Sequence, residues 1–341
     1  MNRRWNLYCI SESREVLMGI ATLMVVFFHC FDIDFYSVIS NSFIANNLTY
    51  IKETGNIGVD IFLFLSGIGL YFSFSKDSNI NRFYKKRIVR VVPSFIIVAS
   101  IYYLIKGVDV LSFIEGISLI SFYINGLRDF WFFSLIIILY FLYPIFHKII
   151  DEKGLKGLLY LLLITISSTL LIMILFPTYY DKIEIALTRI PVFLVGIYIG
   201  KKVFLKKEIP RLIILLSLII FITCSNILTS YNFNNYICVR YIYCIYGITI
   251  VFLISYLHSI IKLIRINSIL KYIGIYSMEI YLIFEKICLG MKKIKYFNIC
   301  NSFLYYSLMF IITIILSIIL KKLCNLIILK LDKKQLRKLY N

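Results

Sequence analysis

The chain lacks what a soluble enzyme of its size would need. No half of its 341 residues is polar enough to form a separate water-soluble domain. Acidic residues are few, 18 against 37 Lys and Arg, which leaves a net charge of +19. That excess raises nucleic acid as a partner. The cations, however, fall in short clusters between apolar runs rather than on one contiguous basic face, so nucleic acid is excluded. The eight cysteines, at positions 9, 30, 224, 238, 244, 288, 300 and 324, form no CxxC pair and no zinc-like spacing. They read as small packing residues, which argues against a disulfide framework and a metal site. No repeat of fixed period and no long linker divides the chain. No small-residue cleavage site follows Arg3, Arg4 and the first apolar run, so that run reads as a permanent span and not as a signal peptide.

What is present in abundance is hydrocarbon. The sequence is 60% hydrophobic and its mean hydropathy is +0.87, against about 45–50% apolar in soluble domains. The expectation is a single integral-membrane domain over 1–341, an all-α polytopic helix bundle with short polar tails at about 1–15 and 330–341. Trp5 and the many tyrosines and phenylalanines suit such a protein, because amphipathic rings settle at the membrane interface. Apolar runs at 16–31, 57–75, 88–105, 130–150, 157–177, 189–200, 210–228, 236–257, 269–290 and 303–329 predict about ten spans. The stretch 110–124, with Glu115, reads as an interfacial or re-entrant piece. Loops 1–15, 76–87, 148–156, 201–211, 258–271 and 330–341 are rich in Lys and Arg, while 32–56 and 178–188 are neutral or acidic. The positive-inside rule then places both termini in the cytoplasm. Lys292, Lys293 and Lys295 disagree, falling on the outer side.

Ionisable groups inside spans are costly and usually face a cavity or a partner. His29 lies late in the first span, in the stretch "VVFFHC". Asp60, Trp131 and Arg189 stand at the outer ends of their spans, and Glu279 and Glu285 lie in the middle and outer part of 269–290. The outer half of the bundle thus collects a histidine, carboxylates and an arginine, the residue types of general-base catalysis and of proton relays. Arg82, Lys85, Lys86, Arg87 and Arg90 gather at the opposite, cytoplasmic mouth, a cation cluster suited to phosphates. Each element has a plainer reading. His29 suits a packed histidine bonded to a backbone carbonyl, and Asp60 a helix N-cap. The 82–90 stretch suits a head-group anchor, and Trp131 an interface anchor. Glu279 and Glu285 suit helix-holding pairs with Lys271 or Lys286.

Taken in order, several segments resemble the acyltransferase 3 family, the multi-span membrane O-acyltransferases that often acetylate bacterial surface polysaccharides. They are "SREVLMGIATLMVVFFHC", "GNIGVDIFLFLSGIGLYF", "RFYKKRIVRVVPSF", "FWFFSLIIILYFLYPIF", "RIPVFLVGIYIGK" and "IGIYSMEIYLIFEKI". The resemblance implies a transfer from acetyl-CoA or another acyl-CoA to a hydroxyl of a cell-surface glycan or its lipid-linked precursor, without a metal, in the bacterial plasma membrane. It makes His29 the catalytic base, with Asp60, Glu279 or Glu285 assisting. It makes Arg87 and Arg90, the family's R-x-x-R, donor-binding together with Arg82, Lys85 and Lys86. Trp131 and Arg189 are then expected at the substrate. The sequence departs from the family pattern in places. The arginine that should precede His29 is Met18, and Arg14, one turn earlier on the same face, is the expected substitute. Ile136 and Ile137 occupy acidic positions of many relatives, and Phe284 stands for a late-span histidine. A proton-coupled exporter of a glycan or lipid-linked intermediate is the alternative, although the inverted repeats and matching broken helices of such proteins are not evident.

Overall fold

The computed structural model describes residues 4–230, 237–261, 264–292 and 302–339. In chain order the elements are β1 (Arg4–Asn6), α1 (Cys9–Glu12), α2 (Arg14–Phe28), α3 (Ser42–Glu53), α4 (Ile57–Lys76), α5 (Ile80–Lys106), α6 (Val110–Ile117), α7 (Ile120–Asn125), α8 (Trp131–Leu175), α9 (Pro177–Leu187), α10 (Ile190–Phe204), β2 (Glu208–Pro210), α11 (Leu212–Ser230), α12 (Ile237–Ile260), α13 (Ile264–Ile275), α14 (Ser277–Lys292) and α15 (Ser302–Leu339). The expected helical bundle is there. Its two short strands pair antiparallel, Trp5 opposite Ile209, and join the amino-terminal segment to the loop after α10. Trp5 is buried against Phe252 and Tyr256, so it packs inside the bundle instead of anchoring an interface.

Seven helical stretches among the described residues are long and apolar enough to cross a membrane. One of them, Arg128–Leu175, holds two of the expected spans. Gly154 breaks α8 at φ +58°, ψ −128°, a conformation that a side chain would strain. A Cβ on Gly157 would run into the carbonyl of Ile149, so the chain doubles back at this point. The expected span 269–290 is not one helix. It divides at Tyr276, whose N–H bonds to the Ile273 carbonyl and so turns the chain between α13 and α14. The first span is shorter than expected. Helix α2 has 15 residues and ends at Phe28, a rise of about 22 Å against a hydrocarbon core of about 30 Å. The 110–124 stretch forms the two short helices α6 and α7.

Helix α4 is apolar on all sides and accordingly buried on nearly all of them. It packs on α2, α10 and α12. Gly67 and Gly196 let α4 and α10 touch through their backbones: a Cβ on either would meet the other helix's main chain, at Phe193 and Phe64 respectively. The basic loops gather at one end of this core. Asp151, in the loop at the α8 break, accepts hydrogen bonds from Lys201 and Tyr71, and β1 pairs with the 201–211 segment. At the other end Arg128 and Arg240 share Glu184, and Lys182 donates to the Ile124 carbonyl. Helix α2 runs between the two ends, with Arg14 at its first turn and His29 at its last.

Candidate functional site

At the basic end, a cavity of about 350 Å³ opens between α2, α4, α5, α8 and α14. Arg14, Arg87 and Arg90 line it, and its wall contains no aspartate or glutamate. The rest of the wall is apolar or hydroxylated, including Met18, Ser66, Phe62, Phe132, Tyr140 and Tyr281. The first residues of two helices face it, Arg14 of α2 and Ser277 and Met278 of α14. Helix N-termini carry positive partial charge, so the arginines add to a field that already repels them. The Nε atoms of Arg14 and Arg87 are buried and have no hydrogen-bond partner. Arg87 also lies over the Phe83 ring at 5.5 Å. Gly69 on α4 leaves the room in which the Arg14 guanidinium lies. Guanidinium groups with two buried, unpartnered Nε donors, beside two helix N-termini, suit a multiply charged anion.

The expected five-cation cluster is therefore split. Arg87, half-buried, and Arg90, exposed at its rim, line the cavity. Arg82 and Lys86 do not line it; they are exposed and pair with Asp77 at 3.5 and 3.4 Å. The Asp77 carboxyl is held below its ordinary range first by the Asn79 backbone N–H, with Lys86 and Arg82 adding to it. Lys85 is exposed and does not line the cavity. Arg14, the expected stand-in for the arginine missing at Met18, reaches the same cavity as Arg87 and Arg90.

His29 caps the C-terminus of α2. Its Nδ1 lies 2.7 Å from the carbonyl oxygen of Val25, one turn back. A carbonyl only accepts, so Nδ1 carries a proton, and in the neutral imidazole Nε2 keeps its lone pair. Nε2 faces Glu285 Oε2 at 3.9 Å, beyond hydrogen-bond range. The orienting contact to the ring thus comes from the backbone, and the carboxylate stands on the side of the free lone pair. A small pocket of about 10 Å³ lies at this gap, walled by Thr22, Val25, Val26, Tyr281 and Phe284. Phe284, at the position of the relatives' late histidine, fills part of it. Glu285 is held by Lys286, whose Nζ is 2.6 Å from the same oxygen, Oε2. Lys286 is itself buried against the faces of Tyr102 and Phe130. An imidazole with a free Nε2 and a carboxylate nearby can take a proton from a hydroxyl placed between them.

The remaining expected residues lie apart from His29. Asp60 and Arg189 form a fully buried ion pair, 3.4 Å apart and 0% and 2% exposed. Arg189 also donates to the Ile185 carbonyl and lies 5.2 Å over the Trp131 ring, so Asp60, Arg189 and Trp131 make one cluster. Asp60 is not an N-cap: α4 begins at Ile57, and no side chain caps it. Glu279 is buried near the basic end, with Lys321 and Arg90 as its charged neighbours, two turns from Glu285. The side chains of Lys292, Lys293 and Lys295 lie outside the described residues. Sequence reading missed Tyr281, which lines both the arginine cavity and the His29 pocket. Its signal was its place one turn before Glu285 on the same helix face.

No curated protein and no solved structure matches the chain. A family model described as an acyltransferase domain does match, over residues 15–322, a stretch that begins one residue after Arg14 and takes in His29, the arginine pair and Glu285. The apolar helices that carry an anion cavity and a histidine–carboxylate pocket are thus those of a membrane acyltransferase, and the chain belongs to the acyltransferase 3 family.

Proposed function

We propose that the protein is an O-acyltransferase of the bacterial plasma membrane. In this reading it moves an acyl group, acetyl in the simplest case, from cytoplasmic acyl-CoA to a hydroxyl of a cell-surface glycan or its lipid-linked precursor. The observation that carries the reading is the cavity with three arginines and no acid, whose inner wall backs onto the His29 pocket. The basic end faces the cytoplasm under the positive-inside rule, the compartment where acyl-CoA is made. The donor's phosphates rest on Arg14, Arg87 and Arg90, and its pantetheine arm points along α2. Fifteen residues separate Arg14 from His29, about 22 Å at the helical rise, a distance that suits an extended CoA arm.

At the other end, the acceptor hydroxyl donates to His29 Nε2 while the Val25 carbonyl holds the ring through Nδ1. The hydroxyl oxygen attacks the thioester carbonyl and its proton passes to Nε2. The carbon–sulfur bond then breaks, and the CoA thiolate leaves and recovers the proton from the imidazolium. Glu285 stabilises the imidazolium across the gap, and Lys286 fixes the position of Glu285. Asp60 and Arg189, already paired, hold Trp131 and α4 in place rather than touching the reacting atoms. Thiol release tests the reading. Protein in nanodiscs is given acetyl-CoA with pooled cell-envelope glycan, wild type beside the Arg87→Ala/Arg90→Ala double variant. Glycan-dependent release that requires the arginines is expected. Release in neither protein, from folded wild type, would turn the reading toward an exporter.

A further inference from the structure

Two cavities lie in sequence along α2, the large one with Arg14, Arg87 and Arg90 and the small one with His29 and Glu285. Among the described residues, Tyr281 alone lines both. Its ring packs 5.0 Å from Phe132, 6.2 Å from Phe133 and 6.4 Å from Phe62, centroid to centroid. Those three phenylalanines belong to the wall of the arginine cavity. The cavity therefore closes toward His29 in an aromatic collar with Tyr281 at its inner face. Beyond the ring, the space at His29 is about 10 Å³, about that of a single water. Phe284, farther along α14, lines the same space.

We propose that Tyr281 is the residue that determines which acyl chain the enzyme transfers. The proposal rests on the donor and base assignment given under Proposed function. A thioester that enters from the arginine end reaches His29 Nε2 only where the Tyr281 ring now stands. A small rotation of the ring within the collar admits an acetyl group. A longer chain needs the volume of the ring itself, because the space beyond the ring at His29 is only about 10 Å³. Close-packed walls resist the insertion of extra methylenes. The determinant is the ring and not the hydroxyl, so phenylalanine keeps the discrimination and smaller side chains lose it in order of size.

The test is thiol release from acetyl-, butyryl- and octanoyl-CoA, with envelope glycan, by wild type and the series Tyr281→Phe, Tyr281→Leu and Tyr281→Ala in nanodiscs. Wild type and Tyr281→Phe are expected to lose rate steeply with chain length. The octanoyl-to-acetyl ratio should rise by about tenfold or more toward Tyr281→Ala, the scale on which pocket volume discriminates single methylenes. Tyr281→Leu should fall between them, and it carries the comparison if the alanine protein does not fold. A ratio that stays at the wild-type value in both Tyr281→Leu and Tyr281→Ala would overturn the proposal while acyl transfer stands. Folded wild type that releases thiol from none of the three donors would overturn the acyl-transfer reading and this one with it.

Discussion

Replacing Arg14 by glutamine, or Arg87 by alanine, separates the anion cavity from the exposed basic stretch beside it. Each guanidinium faces a cavity without acids and has a buried Nε that finds no partner. A hydrogen bond between charged groups contributes about 1.5–3 kcal/mol, so either loss should weaken CoA binding by about 10- to 150-fold. Arg82 and Lys86 do not line the cavity; they are 69% and 57% exposed and share Asp77. Exposed pairs of that kind are worth about 0–1 kcal/mol, so Arg82→Ala and Lys86→Ala should change affinity less than about fivefold. The assay is calorimetric titration of CoA into protein in nanodiscs, at low and high salt. Salt should erase the small effects of Arg82 and Lys86 and leave most of the Arg14 and Arg87 effects, because buried charges are screened less. The apo protein should move the other way. Removing one of three like charges that face each other in the cavity should raise its thermal midpoint, since the site is strained until an anion enters. Equal losses at Arg82 and Arg14, or an Arg14→Gln protein that binds CoA like wild type, would refute the division of the cluster.

Further substitutions test the surrounding structure. Glu285→Gln should cut acyl transfer by about tenfold, or about 1.4 kcal/mol of transition-state stabilisation, without changing CoA affinity; Lys286→Met should show the same pattern more weakly, and kinetics beside calorimetry would expose a loss that sits in binding instead. Asp60→Ala should destabilise the fold by about 3–5 kcal/mol because it strands a buried guanidinium. The double change Asp60→Ala/Arg189→Met should recover much of that in thermal unfolding, and no recovery would mean the two residues act separately. Gly67→Ala should cost about 1–3 kcal/mol, as its new methyl meets the α10 backbone, and an unchanged midpoint would show that the helices can part freely.

The bundle was legible in the sequence because hydrophobic length is a local signal. His29 and the basic stretch 82–90 stand out locally in the same way, as polar groups against apolar surroundings. The Arg87–Arg90 pair and Arg14 come from the family pattern, the pair from its R-x-x-R and Arg14 from its helical spacing to Met18, where the family has an arginine. What escaped depends on long-range packing. The Asp60–Arg189 pair joins α4 to the turn before α10, far apart in sequence, and no period within either segment reveals it. Trp5 reads as an interface ring in sequence because its burial depends on Phe252 and Tyr256, about 250 residues away. The break at Tyr276 escaped because an apolar run reads the same whether or not it turns once in the middle. The split of the basic stretch was not legible from spacing alone. Positions 82, 86 and 90 are each four apart, so helical period groups Arg90 with Lys86 as readily as with Arg87, and only the packing of α5 against α14 and α8 shows which of them line the cavity.

Transfer of label from acetyl-CoA to acceptor bears most directly on the role of His29. Acetyl-labelled donor is supplied to wild-type and His29→Ala proteins in nanodiscs with cell-envelope glycan, CoA binding having been matched by titration. Label should appear in the glycan with wild type. It should fall by about 10²–10⁴-fold in His29→Ala, the usual worth of a general base, with donor affinity unchanged. Label transfer that persists at the wild-type rate in a folded His29→Ala protein would contradict the assignment of the base.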